Sequence, residues 1–216
     1  MKTWASSFLL LACLAAGRAA SAESLVLDAW QLDCSQAQEG SIRAAVMGAA
    51  LILEPCHISL KLGNFQALPG GAACSLPQAA SERAPILAAL SRKARHANPR
   101  GLSLFILPLQ LSSSGDSRYS FSIIEKFKGQ ARCGDPEPRF LERYGSIFMT
   151  DFALDGPDPA FTAMLLAHEV MHELSQRRHP SHAPRGTLLA DHLADMGTKI
   201  SPSDCACMRL SPYLKP

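Results

Sequence analysis

The stretch that decides the fold runs from Leu165 to Leu174 and reads Leu-Leu-Ala-His-Glu-Val-Met-His-Glu-Leu. It contains the pattern His168-Glu169-x-x-His172. Residues four apart lie above one another on the same face of an α-helix, so the two imidazoles can face one metal ion. Neutral imidazole nitrogens are common ligands of Zn²⁺. The spacing therefore predicts a zinc site on a helix, with Glu169 as the general base for a zinc-activated water.

The sequence around this pattern indicates a helix packed into the protein rather than a solvated one. Asp158 is a good N-cap residue, and Pro159 suits the first helical position. We therefore predict an active-site helix over 159–177. The residues around the two histidines are too apolar for an exposed helix: Phe161, Met164, Leu165, Leu166, Ala167, Val170 and Met171.

A catalytic zinc typically has three protein ligands and one open position for water. Pro180 and Pro184 exclude a continuing regular helix, so the chain can turn back towards the metal after the helix. His179 is the best candidate for the third ligand on this turn. His182 is the next candidate, and Asp191 is a more distant one.

Residues 1–22 have the features of a secretory signal peptide. Lys2 supplies a positive charge, an apolar run covers 8–14, and Ala20-Ser21-Ala22 is a small-residue cleavage site. We expect a secreted or periplasmic protein with a mature chain of 23–216. Lipidation at Cys13, giving a lipoprotein, is the alternative.

Charge and hydropathy exclude several classes of partner. Loss of Lys2 and Arg18 with the signal peptide brings the 21 basic residues into balance with the 19 acidic ones. A neutral mature chain has no electrostatic reason to bind nucleic acid or an anionic membrane. No other run is long enough for a transmembrane segment, and we expect a monomer.

The cysteine content agrees with export. An even number of cysteines in an exported chain predicts up to three disulfides, whose connectivity stays open. We expect separate bridges from the last two cysteines to tie the tail to the body. The six cysteines of the mature chain are Cys34, Cys56, Cys74, Cys133, Cys205 and Cys207.

Hydrophobic periodicity predicts the element order β-α-β-α-β-β-β-α, followed by an irregular tail with a short final helix capped by Ser201. This order indicates an α+β domain with one sheet backed by helices. Ser41 is a plausible N-cap for the first helix, and Pro108 suggests an edge or a bend in the third strand. The predicted strands are 24–32, 58–62, 102–111, 119–124 and 145–154, and the predicted helices besides the active-site helix are 41–53 and 84–95.

The region from about 145 to 208 resembles the metzincin clan of zinc metallopeptidases and is most similar to small secreted matrixin-like bacterial members. The resemblance rests on the order of strand 145–154, loop 155–159 and the helix with the His-Glu-x-x-His pattern, and on the tail 197–205. It implies a single zincin-like domain over 23–216, with a sheet-and-helix part (23–177) and a C-terminal subdomain (178–216). It also implies that strand 145–154 is an edge that pairs with an extended peptide.

The sequence departs from the clan pattern at the third ligand and beneath the metal. The clan pattern continues through x-x-Gly-x-x-His, whereas Ser175 and Arg178 occupy those two positions and His179 lies one residue late. Leu189 occupies the likely place of the clan's structural methionine, with Met196 and Met208 nearby. The second resemblance is to aspzincins, in which Asp191 would be the third ligand, although 186–191 is one residue too long for their pattern.

These observations predict a secreted zinc-dependent endopeptidase that hydrolyses peptide bonds, with Zn²⁺ bound by His168, His172 and His179. The alternative is a non-catalytic exported binding protein on a zincin scaffold. A third hypothesis is a structural zinc site closed by a fourth ligand such as Asp191 or His182.

Overall fold

Four parallel strands and one antiparallel strand form the sheet, in the order β2-β1-β3-β5-β4. The strands are β1 (Glu23–Leu32), β2 (Ile58–Leu68), β3 (Leu102–Leu107), β4 (Ser120–Ser122) and β5 (Ser146–Thr150). The helices are α1 (Glu39–Leu53), α2 (Ala80–Ala97), α3 (Asp151–Leu154), α4 (Pro159–Ser175) and α5 (Pro202–Met208). Short 3₁₀ helices cover Glu54–Cys56 and Gly71–Ser75.

The structure is a computed structural model, and it describes residues 22–77, 80–97, 101–108, 120–122, 145–156, 158–175, 184–190, 195–211 and 213–214. The predicted signal peptide therefore lies outside the described residues, apart from Ala22. Cys133, His179, His182 and Asp191 also lie outside them.

Side chains alternate between the two faces of each strand, so the strands contribute to two separate clusters of buried residues. Helices cover both faces of the sheet. On one face, Leu25 and Leu27 belong to the core that includes buried residues of α1 and α4. On the other face, Trp30, Phe105 and Phe148 pack with buried residues of α2. The predicted α+β class, a mixed sheet backed by helices, is confirmed.

Pro108 suggested an edge or a bend in the third strand, and the edge is wrong. β3 lies between β1 and β5, and all six of its residues are buried. Pro108 follows the last residue of β3, so its missing N–H removes no hydrogen bond from the ladder. Covered on both faces and paired on both sides, β3 is apolar at every position except Ser103, as is typical of a central parallel strand.

The predicted strand 145–154 consists of two elements, and it is not an edge. β5 ends at Thr150, whose Oγ1 accepts a hydrogen bond from the amide of Ala153 and caps α3. β4 pairs with the outer side of β5, with Phe121 opposite Phe148. Among the described strands, β4 is therefore the edge on this side of the sheet.

The first helix starts earlier than predicted. α1 begins at Glu39 with Gln38 as N-cap, so Ser41 lies inside the helix and does not cap it. The predicted end near Pro55 is confirmed, because α1 ends at Leu53 and passes into a 3₁₀ turn.

The predicted disulfide attachment of the tail is confirmed for Cys205. It is bonded to Cys56, just after α1, and a second bridge joins Cys34 to Cys74. Cys207 is also disulfide-bonded. The final helix α5 starts after Ser201, whose Oγ accepts a hydrogen bond from the amide of Asp204, as predicted. None of the described helices combines the length and the apolar character needed to cross a membrane.

The crossing of α1 and α4 requires a glycine. A Cβ placed on Gly48 would lie 2.4 Å from the Cβ of Ala163 on α4, well inside van der Waals contact. At Gly40, in the first turn of the same helix, a Cβ would meet nothing within 4 Å.

We expect Gly48→Ala to destabilise the protein by about 1–3 kcal/mol through overpacking, despite the higher helix propensity of alanine. Gly40→Ala is the matched control and should be neutral or stabilising by up to about 1 kcal/mol. The free energy of unfolding from urea denaturation measures both effects. Equal stabilities of the two variants would contradict the tight crossing.

Candidate functional site

The start of α4 is fixed by local hydrogen bonds, as the sequence predicts. Asp158 Oδ1 accepts from the amides of Ala160 and Phe161, at 2.9 and 3.2 Å. The hydroxyl of Thr162 donates to the carbonyl of Ala153 in α3, at 2.7 Å. The helix is described as far as Ser175, and residues 176–177 of its predicted range lie outside the described residues.

α4 carries four buried titratable side chains within two turns. The exposed fractions are 5% for His168, 5% for Glu169, 3% for His172 and 1% for Glu173. Burying such groups is costly unless each has polar partners, and carboxylates are rarely buried without them. A helix in the apolar core with this composition is therefore a strong candidate for a functional site.

The two histidines face each other across one helical turn. Their Nε2 atoms are 2.9 Å apart, and their rings are nearly perpendicular, with an interplanar angle of 88°. The Nδ1 of His168 is within hydrogen-bonding distance of the carbonyl oxygen of Leu188. Because a carbonyl only accepts, Nδ1 carries the proton, and the Nε2 of neutral His168 has its lone pair available.

This geometry fits a zinc ion. Zn–N distances are about 2.0–2.1 Å, so two nitrogens 2.9 Å apart can both bind one ion at an N–Zn–N angle of about 90°. Opening the pair by roughly 0.4 Å would give a tetrahedral angle. The hydrogen bond from Nδ1 to a backbone carbonyl is the usual second partner of a metal-binding histidine.

The carbonyl of Leu188 belongs to a turn that the tail holds in place. The turn closes with a hydrogen bond from the amide of Ala190 to the carbonyl of Thr187, at 3.3 Å. The amide of Leu188 donates to the carbonyl of Lys199, at 2.9 Å. The C-terminal segment thus orients the residue whose carbonyl orients His168. Sequence reasoning missed this partner, since a backbone carbonyl has no sequence signal.

Leu189 lies on the same turn and is 3% exposed. It packs in the apolar core that also contains Met171 and Met208, with Met196 partly buried against it. The structure thus places Leu189 in a buried turn against α4. That it replaces the clan's structural methionine beneath a metal stays a prediction.

Glu173 has a role that sequence reasoning did not assign. Its Oε2 accepts a hydrogen bond from the amide of Gly145, at 2.7 Å, at the start of β5. A signal was present, because Glu173 is a second carboxylate on a helix whose apolar flanks predict that it is buried.

The described residues do not supply a third metal ligand. Within them, no further His, Cys, Asp or Glu places a ligand atom within 4.8 Å of both histidine ligand atoms. Asp33, Cys34 and Cys74 do cluster, but the two sulfurs form a disulfide and cannot act as thiolate ligands. His179, His182 and Asp191 all lie outside the described residues.

No protein-family model matches the sequence, and no curated protein matches it. Among solved structures, the fold is similar to that of metalloproteinase-II from Bacteroides fragilis, with a TM-score of 0.53 over 87% of this chain. The chain has a metalloproteinase-like fold. Sequence identity is 13% and the alignment covers 52% of that protein, so this chain spans about half its length. Such a likeness shows a similarity of fold alone and does not single out the metzincin clan.

The geometry of the pair predicts that His168→Asn and His172→Asn each weaken zinc binding. The loss should exceed the 10–100-fold that removal of an outer-shell partner typically causes. Isothermal titration of the metal-free protein with Zn²⁺ measures the affinity.

His57→Asn is the matched control for this experiment. His57 is exposed, and its backbone lies in the left-handed region with a φ of 60°. Asparagine tolerates this conformation. Its variant should bind zinc as the wild type does. Undiminished zinc affinity in His168→Asn or His172→Asn would exclude the pair as the metal site.

Proposed function

We propose that this protein is a secreted zinc-dependent endopeptidase of the metzincin kind. The observation that carries the proposal is the buried pair of imidazoles, with Nε2 atoms 2.9 Å apart and the Nδ1 of His168 turned to a backbone carbonyl. His168 and His172 would hold the zinc, and His179 is the proposed third ligand. The metalloproteinase-like fold supports this assignment.

A bound zinc ion would supply Lewis acidity, which polarises a peptide carbonyl and lowers the pKa of a water molecule towards neutrality. Glu169 follows His168 directly and is 5% exposed, which suits a carboxylate that handles protons in a partly dehydrated site. We assign it as the general base that takes the proton of the attacking water. It would then pass that proton to the leaving amine.

We propose that the substrate is an extended peptide that pairs with β4. Strand β5 is enclosed between β3 and β4, so its backbone cannot add a further strand. The outer side of β4 is the edge nearest to it in the described sheet, and an edge strand can bind a peptide through main-chain hydrogen bonds.

Export is part of the proposal. Disulfides such as Cys34–Cys74 and Cys56–Cys205 persist in oxidising compartments, which agrees with a signal peptide over residues 1–22. Retention at a membrane through a lipid on Cys13 is the alternative. Mass spectrometry of the exported protein distinguishes a free Glu23 amino terminus from a lipidated Cys13.

The second candidate function is a non-catalytic binding protein on the same scaffold. The specific observation in its favour is that Ser175 is still helical, with its hydroxyl donating to the carbonyl of Met171 at 2.7 Å. The clan pattern has glycine at this position, where it allows the turn to the third ligand. A binding protein would retain its fold and cleave no peptide with zinc bound.

We expect Glu169→Gln to keep one zinc per protein and to lower the rate of peptide hydrolysis about 10²–10⁴-fold, because general base catalysis contributes that much. Zinc content by elemental analysis and turnover of a fluorogenic peptide mixture measure the two effects. Glu39→Gln is the control, since Glu39 is exposed and its carboxylate pairs with Arg43 one turn along α1.

Full activity in Glu169→Gln would overturn the role assigned to this residue. A wild-type protein that binds zinc but cleaves none of the peptides would favour the binding protein.

A further inference from the structure

Glu173 joins the metal helix to the sheet immediately after His172. Its carboxylate is 1% exposed, and Oε2 accepts a hydrogen bond of 2.7 Å from the amide of Gly145. A buried carboxylate costs more than any neutral side chain of the same size. A solvated or purely packing role therefore does not account for glutamate at this position.

The hydrogen bond holds Gly145, whose position is also constrained by its backbone conformation, by Tyr213 and by the sheet. Gly145 has a φ of 100°, a conformation open to glycine. A Cβ there would lie 3.0 Å from the hydroxyl oxygen of Tyr213, so the tyrosine closes the space beside it. The carbonyl of Gly145 accepts from the amide of Ser103, at 2.7 Å. Its amide is thus bound to the helix, and its carbonyl to the sheet.

Gly145 also directly precedes β5, the strand with which the edge strand β4 pairs. β5 starts at the next residue, and Ile147, two residues on, is paired with Ser122 of β4. The other contacts between β5 and α4 include buried apolar side chains such as Met149, and apolar contacts have no preferred direction. The hydrogen bond that the Glu173 carboxylate accepts from the Gly145 amide is directional, so it can define the distance and register between His172 and the two strands β5 and β4.

We propose that Glu173 is a positioning residue that holds the β5–β4 edge in register with the metal-binding turn of α4. This inference rests on the proposed function, because its catalytic consequence requires a peptide on β4 and a zinc ion on His168 and His172. The physical reason is that a displacement of about 1 Å between substrate and catalytic groups can cost about 10²-fold in rate.

A positioning role of Glu173 and an effect of its charge on His172 predict different results for two substitutions. If Glu173 acts through its reach, Glu173→Gln keeps an oxygen at the same distance from Gly145, whereas Glu173→Asp withdraws the acceptor by one methylene. If Glu173 acts through its charge, aspartate should substitute for it better than glutamine. The two variants therefore separate the two roles.

In the zinc-loaded protein, we expect the kcat of Glu173→Asp to lie at least tenfold below that of Glu173→Gln, with a smaller change in KM. Glu39→Asp and Glu39→Gln are the matched controls on an exposed glutamate, and they should have equal kcat. A kcat for Glu173→Asp equal to or above that of Glu173→Gln overturns the proposal.

The second measurement needs neither zinc nor turnover. In the metal-free protein, the amide of Gly145 should exchange its hydrogen at least tenfold faster in Glu173→Asp than in Glu173→Gln. The amide of Phe105, in the central strand β3, should exchange equally in both and so report intact global folding. Equal exchange at Gly145 in the two variants overturns the proposal.

The two measurements keep the inference apart from the proposed function. An inactive wild-type protein refutes the endopeptidase, while the exchange at Gly145 still decides whether the carboxylate positions β5. If Glu173→Asp does not fold, Glu173→Gln alone must retain slow exchange at Gly145, and fast exchange in that variant refutes positioning by reach.

Discussion

The structure depends on placing two imidazoles side by side in an apolar core. His168 and His172 lie one turn apart on α4 and are almost fully buried, so each nitrogen must find a partner within the protein or on a bound ion. The carbonyl of Leu188 accepts a hydrogen bond from the Nδ1–H of His168, which leaves the Nε2 of that ring with a lone pair. A helix that carries this pair has to be enclosed by apolar neighbours and approached by a rigid backbone segment. The apolar enclosure and the rigid backbone segment account for much of the fold around α4.

The C-terminal segment meets the second requirement. Its backbone pairs with the Thr187–Ala190 turn through a hydrogen bond from the Leu188 amide to the Lys199 carbonyl. Gly197 also lies against Gly186, and a Cβ on Gly197 would be 2.4 Å from the carbonyl oxygen of Gly186. The Cys56–Cys205 bridge then ties α5 to the end of α1, 149 residues away in sequence. The Thr187–Ala190 turn can thus present a carbonyl at a defined place, because covalent and hydrogen-bonded restraints hold the segment around it.

Much of the site could be predicted because its signals are local. The helix, its Asp158 cap and the shared face of His168 and His172 follow from spacing within one element, and the structure agrees with all three. One error is local, because the N-cap of α1 is Gln38 and not Ser41. The other two concern neighbours distant in sequence. Pro108 suggested an edge, yet β3 is central, and strand 145–154 was expected at the edge, yet β4 covers β5. Strand order depends on which segments pair, and a single proline or the length of one apolar run does not determine those partners.

By itself, the sequence determined a helix that presents two imidazoles and a carboxylate on one stretch, within an α+β chain that has paired cysteines. Helical periodicity and capping act over a few residues, so they can be read directly from the order of side chains. Only the tertiary structure decided that Leu188 orients His168, that Glu173 holds Gly145 and that β4 forms the edge. Each of these contacts joins residues 20 or more positions apart, and their geometry exists only once the whole chain has packed.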